Sequence, residues 1–138
     1  MKELQLLVVS GAQGLNIKYA LAVFGVEPIV VENAKQAFDV LKKSTPDLLI
    51  VDAHLEDLRG TIVCDRVKRV RRLSDIPVIL FVNSQDRHMI ADAHMSHADE
   101  VLELPFSARD LRHSVKTFLG QKLPAVSAEK SKQVSGQN

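Results

Sequence analysis

A chain of 138 residues has room for one domain, and it is long enough to bury a core without disulfides or a structural metal. Hydrophobic residues make up 46% and the formal net charge is +1, so it should fold and offers no whole-chain electrostatic case for nucleic acid or an anionic membrane. A single cysteine, Cys64, excludes a disulfide framework and a cysteine-rich metal site and fits a reducing compartment.

No apolar run approaches the ~18 residues of a membrane span, and residues 1–4 lack the pattern of a secretory signal. The expectation is a cytoplasmic domain without membrane association. The first strand is expected at 4–9 and runs into Ser10-Gly11-Ala12-Gln13-Gly14, a glycine-bearing loop ahead of a first helix that carries Tyr19. Gly25 is a candidate helix stop, and a second strand follows at 28–31. Asn33 suits the N-cap of a helix over 34–43. That helix puts Ala37, Phe38, Val40 and Leu41 on one side, and Ser44-Thr45-Pro46 ends it.

The third strand is expected at 47–52. A third helix over 61–73 carries Ile62, Val63, Val67 and Val70 on one stripe, ringed by Arg66, Lys68, Arg69, Arg71 and Arg72. The fourth strand is expected at 77–82 and the fifth at 101–104, with a helix between them on or near which His88, His94 and His97 fall. Ser107 and Asp110 have capping-box spacing for a last helix, and Gly120 is its candidate stop. Strands three and four are apolar almost throughout, as in a parallel sheet covered on both faces. Five β-α repeats therefore predict a doubly wound α/β sandwich over residues 1–119. Residues 120–138, rich in Ser, Lys, Gln and Gly, are expected to be a flexible tail or linker.

In such sheets ligands bind beyond the carboxyl ends of the strands. The residues closing the strands are Ser10 and Gly11, Asp52, Val82 and Asn83, and Leu104. Asp52 closes a buried strand, where it either caps and bonds its loop or carries chemistry. The segment PDLLIVDAHLEDLRG, with Asp52, Leu55 three positions on and Gly60 eight on, resembles the phosphoacceptor segment of response-regulator receiver domains, the CheY-like family. IPVILFVN (76–83) resembles the fourth strand of that family, and HADEVLELPF (97–106) its fifth strand and Pro-Phe turn. The resemblance covers about residues 4–119 and implies the flavodoxin-like strand order 2-1-3-4-5 with five helices.

What the resemblance implies about function is a phosphoryl group transferred from a histidine kinase to Asp52. In working members an acidic pair after strand one holds Mg²⁺. A Thr or Ser ends strand four, a Lys precedes the Pro-Phe turn, and strand five carries an aromatic residue. The matching positions here are Ser10 and Gly11, Val82, Leu104 and Val101, and Glu56 replaces a common Pro. Asp52 remains, with the backbone carbonyl of His54. The expectation is an atypical, or pseudo-, receiver in two-component-type signalling. It would act by protein–protein interaction rather than as an enzyme and hold no cofactor, with Mg²⁺ only if Asp52 is phosphorylated.

Other readings of the same residues are weaker. Ser10 to Gly14 is placed to hold a phosphate, as in flavodoxins, but the chain has no Trp and one Tyr to stack on a flavin. Asp52-Ala53-His54 is similar to the D-x-H of cobalamin-binding domains, although Asp57 stands where that motif has Gly. A second alternative is thus a small flavodoxin-like cofactor binder, and the first is a receiver still phosphorylated at Asp52. His94 and His97, with His88 or Asp92, have the spacing of a partial metal site, but surface chance explains them better. The His54 side chain is expected in solvent, the basic run 68–72 at a solvated helix end, and Cys64 in the core. The partner face implied by the resemblance joins helix four, strand five and helix five and exposes Arg87, His94, Arg109, Arg112 and Lys116. A kinase, a regulator, an output protein or a second copy would dock there.

Overall fold

The computed structural model describes residues 4–123. Its strands are β1 (Leu6–Val9), β2 (Ile29–Val31), β3 (Leu48–Asp52), β4 (Val78–Asn83) and β5 (Glu100–Leu104). The helices are α1 (Gly14–Leu21), α2 (Ala34–Lys43), α3 (Gly60–Arg69), α4 (Arg87–Met95) and α5 (Ala108–Leu119). All strand pairs are parallel, in the order β2-β1-β3-β4-β5. This is the flavodoxin-like arrangement the resemblance implied.

The unbroken apolar runs of the central strands follow from burial on both faces. Leu49, Val51, Leu80 and Val82 point into a cluster with α2, α3 and α4, which contribute Leu41, Val67 and Ala93. Their neighbours Leu48, Ile50, Ile79 and Phe81 point the other way, into a cluster with Ile17 and Leu21 of α1 and Leu111 and Val115 of α5. Because the side-chain period is two, a slip of one residue would exchange the two faces. Local signals set the helix starts. Asn33 accepts the Gln36 amide at 2.9 Å, and Ser107 and Asp110 form the reciprocal capping box.

Strand ends and the start of α3 shift by one or two residues, and two boundaries differ further from expectation. α3 ends at Arg69, because Val70 leaves the helical region at φ −88, ψ 117. The Lys68 ammonium turns inward there, donating to the Ile76 carbonyl at 2.7 Å and meeting the Asp99 carboxylate at 2.8 Å. A helix continued to residue 73 would also have to give up the turn that seats Leu73 and Ile76 in the core. Gly25 takes φ 72, a left-handed stop that only glycine adopts easily. Gly120, by contrast, is right-handed and opens a 3-10 turn through Lys122. Leu123 then packs on the α1/α5 side, so the described fold runs past the expected boundary at 119. The remainder of the expected tail, 124–138, lies outside the described residues.

Candidate functional site

Asp52 is the last residue of β3, between β1 and β4, and only 5% of it is exposed. The first residue of α3 sits directly against this strand end. A side chain at Gly60 would place its Cβ 2.2 Å from the Asp52 carbonyl oxygen and 2.8 Å from Ala53 Cα. Glycine eight residues after Asp52 is therefore a steric requirement of the β3–α3 turn.

Both carboxylate oxygens of Asp52 have partners in this corner. The Ser10 hydroxyl donates to Oδ2 at 3.0 Å and the His54 amide to Oδ1 at 2.8 Å. Ser10 is itself buried, and its oxygen accepts the Gln13 amide at 2.9 Å, so it ties the start of α1 to the end of β3. Burial pushes the Asp52 carboxyl above its usual pKa; the His54 amide, the Ser10 hydroxyl and the nearby His54 ring pull it partly back. Gly11 is exposed, and a Cβ there would meet only the Glu32 carbonyl oxygen at 3.7 Å.

This donor set does not fit a magnesium ion, which takes oxygen ligands with carboxylates prominent among them. Position 10 supplies a hydroxyl already bonded on both sides, and position 11 supplies no side chain. Among the described residues no three His, Cys, Asp or Glu side chains are grouped to hold a metal.

Val82 is fully buried in the α2/α3/α4 cluster. Leu104 is half-buried and turns to the opposite face, beside Phe106, whose ring meets that of Phe81 edge-on at 5.8 Å. Val101 packs half-buried against the α2/α3/α4 cluster. Thus Ser10, Gly11, Asp52, Val82 and Leu104 do close neighbouring strands at one mouth. Val101 lies deeper, opposite Leu80.

His54 is exposed, as expected, but sequence reasoning missed what its ring bonds. Nε2 accepts the Asn83 amide at 3.2 Å. With Nε2 accepting, the neutral ring carries its proton on Nδ1, which faces Asp86 Oδ2 at 3.9 Å. Asp86 in turn caps α4 by accepting the Met89 amide at 3.0 Å. His54 therefore links the β3–α3 turn to the end of β4, with Asp86 at the start of α4 close by. The only sequence signal was a histidine two residues past the strand-end acid, which does not reveal a contact across the sheet.

Of the expected partner-face residues, Arg87, His94, Arg109 and Lys116 are exposed. Arg112 is not part of that surface: its Nε donates to the Ala20 carbonyl at 2.8 Å, capping the end of α1. The histidine metal reading also fails. His97 lies beyond the end of α4, and its Nδ1 is 3.0 Å from Asp65 on α3. Cys64 is a core residue, and burial is the main cause that pushes its thiol up to about 11.

A parallel sheet in this order, with a buried acid at the end of its central strand bonded from the β1 loop and from its own β3–α3 loop, is the arrangement of a receiver-type fold. Residues 13–116 match the response regulator receiver domain family, and the chain belongs to it. It is 31% identical over 103 residues to the phosphate regulon transcriptional regulatory protein PhoB of Pseudomonas aeruginosa, covering 75% of this chain and 45% of that protein. It is 28% identical over 92 residues to histidine kinase P4 of Formosa agariphila, covering 67% of this chain and 7% of the kinase. The chain thus spans less than half the length of either relative. Among solved structures, the receiver domain of a signal transduction histidine kinase from Syntrophus aciditrophicus aligns with a TM-score of 0.80 at 26% identity, covering 86% of this chain and 92% of that one. The chemotaxis response regulator CheY4 of Vibrio cholerae shares the fold, with a TM-score of 0.76 at 16% identity over 86% of this chain and 100% of that one.

Proposed function

We propose that this domain is a pseudo-receiver, signalling through protein–protein contacts without phosphoryl transfer to Asp52. The observation that supports the reading is the engagement of Asp52: both oxygens are bonded from within, by Ser10 and His54. Around it, positions 10 and 11 carry no carboxylate, Val82 no hydroxyl and Leu104 no amine. A lost charge-assisted hydrogen bond costs on the order of 1.5–3 kcal/mol, and a missing metal removes several kcal/mol more of transition-state stabilisation. The domain then acts by binding rather than catalysis, in the cytoplasm, on a kinase, regulator or output protein. The face of α4, β5 and α5, with Arg87, His94, Arg109 and Lys116 exposed, is the surface assigned to that partner or to a second copy.

A second reading keeps Asp52 as a working phosphoacceptor, since the acid still stands at the mouth of β3. One titration separates the two. Amide NMR shifts are followed as Mg²⁺ and beryllofluoride, the aspartyl-phosphate mimic, are added to the wild type and to Asp52→Asn. The pseudo-receiver reading expects no shifts around residues 52, 82 and 101 in either protein. Large shifts in the wild type that vanish in the variant overturn it.

A further inference from the structure

The side of the domain away from the Asp52 corner carries a feature with no part in the reading above. Between α2 and α3 runs a crease of about 390 Å³. Its floor is Leu41, Val67 and Leu73, and its walls are Phe38 and Val70, the latter 45% exposed. Premature unwinding of α3 at Val70 opens the crease at one end.

The rim is cationic. Lys42 and Arg66 flank the slot, and Arg66 lies 6.0 Å from the centre of the Phe38 ring. Arg69, Arg71 and Lys43 follow next to the lining residues in sequence and are exposed. Not every cation of the basic run is available. Lys68 is committed to Asp99, and the Arg72 guanidinium caps the end of α2 at the Leu41 and Ser44 carbonyls. Asp39, next to Phe38 in sequence, is already shared by Lys35 and Lys42 at 3.5 and 3.7 Å. Among the described residues, Lys43, Arg66, Arg69 and Arg71 form no ion pair.

We propose that the α2–α3 crease docks an acidic amphipathic helix of a partner protein, with apolar side chains in the slot and carboxylates on Arg66 at its rim and on the exposed Arg69 and Arg71 that adjoin its lining residues in sequence. The recessed hydrocarbon floor selects this occupant. A helix offers side chains at i, i+3, i+4 and i+7 that enter a groove, and like-signed rim charges steer an acidic one. Nucleic acid would use the cations and gain nothing from the floor. A flat bilayer surface does not reach apolar groups set down between two helices.

The test uses the full chain and a fluorescent helical peptide with Leu at i, i+3, i+4 and i+7 and Glu elsewhere. Saturable binding is expected, with amide NMR shifts confined to residues 38–43 and 66–73. A peptide with Ser in place of Leu should not bind. Val70→Asp, at an exposed position, should weaken binding by about tenfold or more, and Arg66→Glu with Arg69→Glu by a similar factor. The proposal is overturned if the peptide causes no shifts in the crease at millimolar concentration, or if both variants bind as the wild type does. It is equally overturned if duplex DNA or phosphatidylserine vesicles shift these amides and the peptide does not.

Discussion

Two of the three carboxylates between β3 and α3, Asp52 and Asp57, behave in opposite ways. Asp52 is buried at the strand end, and burial raises its pKa despite two hydrogen bonds. Asp57 is exposed and accepts the Ala34 and Lys35 amides at 2.9 and 3.0 Å. Those first-turn amides of α2 hold its carboxyl below the usual range. Burial opposes the ionisation of one acid; the other staples the turn to a neighbouring helix. In receivers a buried acid of this kind is normally justified by the metal and cation around it. Here two hydrogen bonds and the nearby His54 ring offset its burial.

The largest expected effect comes from removing the close approach that holds both ends of the turn in place. Gly60→Ala should lower unfolding stability by about 3 kcal/mol, because its Cβ collides with backbone rather than a yielding side chain. Denaturant unfolding measures it, and a change within error would mean that α3 shifts freely on the strand end. Next is Ser10→Ala, which takes a donor from a buried carboxylate. A loss of about 2 kcal/mol at neutral pH is expected, shrinking once the acid is protonated. The same substitution in an Asp52→Asn background should cost clearly less, and equal costs would refute an ionic contribution.

Asp52→Asn alone should raise the melting temperature by a few degrees at neutral pH. An amide can donate to Ser10 and accept from His54 without a buried charge. The folded-state pKa of Asp52 is raised, so the penalty is absent below the ordinary carboxylate pKa and grows as pH rises through the folded value. The advantage of the variant should therefore fade on acidification. Asp57→Asn should have a smaller effect of opposite sign. Its pKa is lowered by folding, so its contribution is complete above the ordinary carboxylate range and is lost as pH falls through the lowered value. Thermal melts across pH would show the two variants diverging at neutral pH and converging in acid; parallel curves would erase the distinction between the two acids.

Much of this was legible in the amino-acid order. The apolar runs marked the five strands, and Asn33 and the Ser107–Asp110 pair marked helix starts to the residue. Asp52 was identified from its place after a buried run and from the segment around it. The misses share one cause. The His54 ring bonds a strand two elements away in sequence, Arg112 caps a helix 92 residues earlier, and α3 stops early because Lys68 and Leu73 find distant partners. None of these contacts leaves a local trace.

The sequence by itself determined the alternation of strands and helices, the α/β class and the acid at the end of β3, because periodicity, capping and burial are written within a few residues of each element. Only the tertiary structure decided what that acid touches. It gave Asp52 two internal donors, joined it through His54 to the end of β4, and formed a cation-rimmed crease from helices whose facing residues lie some thirty positions apart. Those outcomes depend on which loops and faces the parallel sheet brings together, and long-range packing settles that.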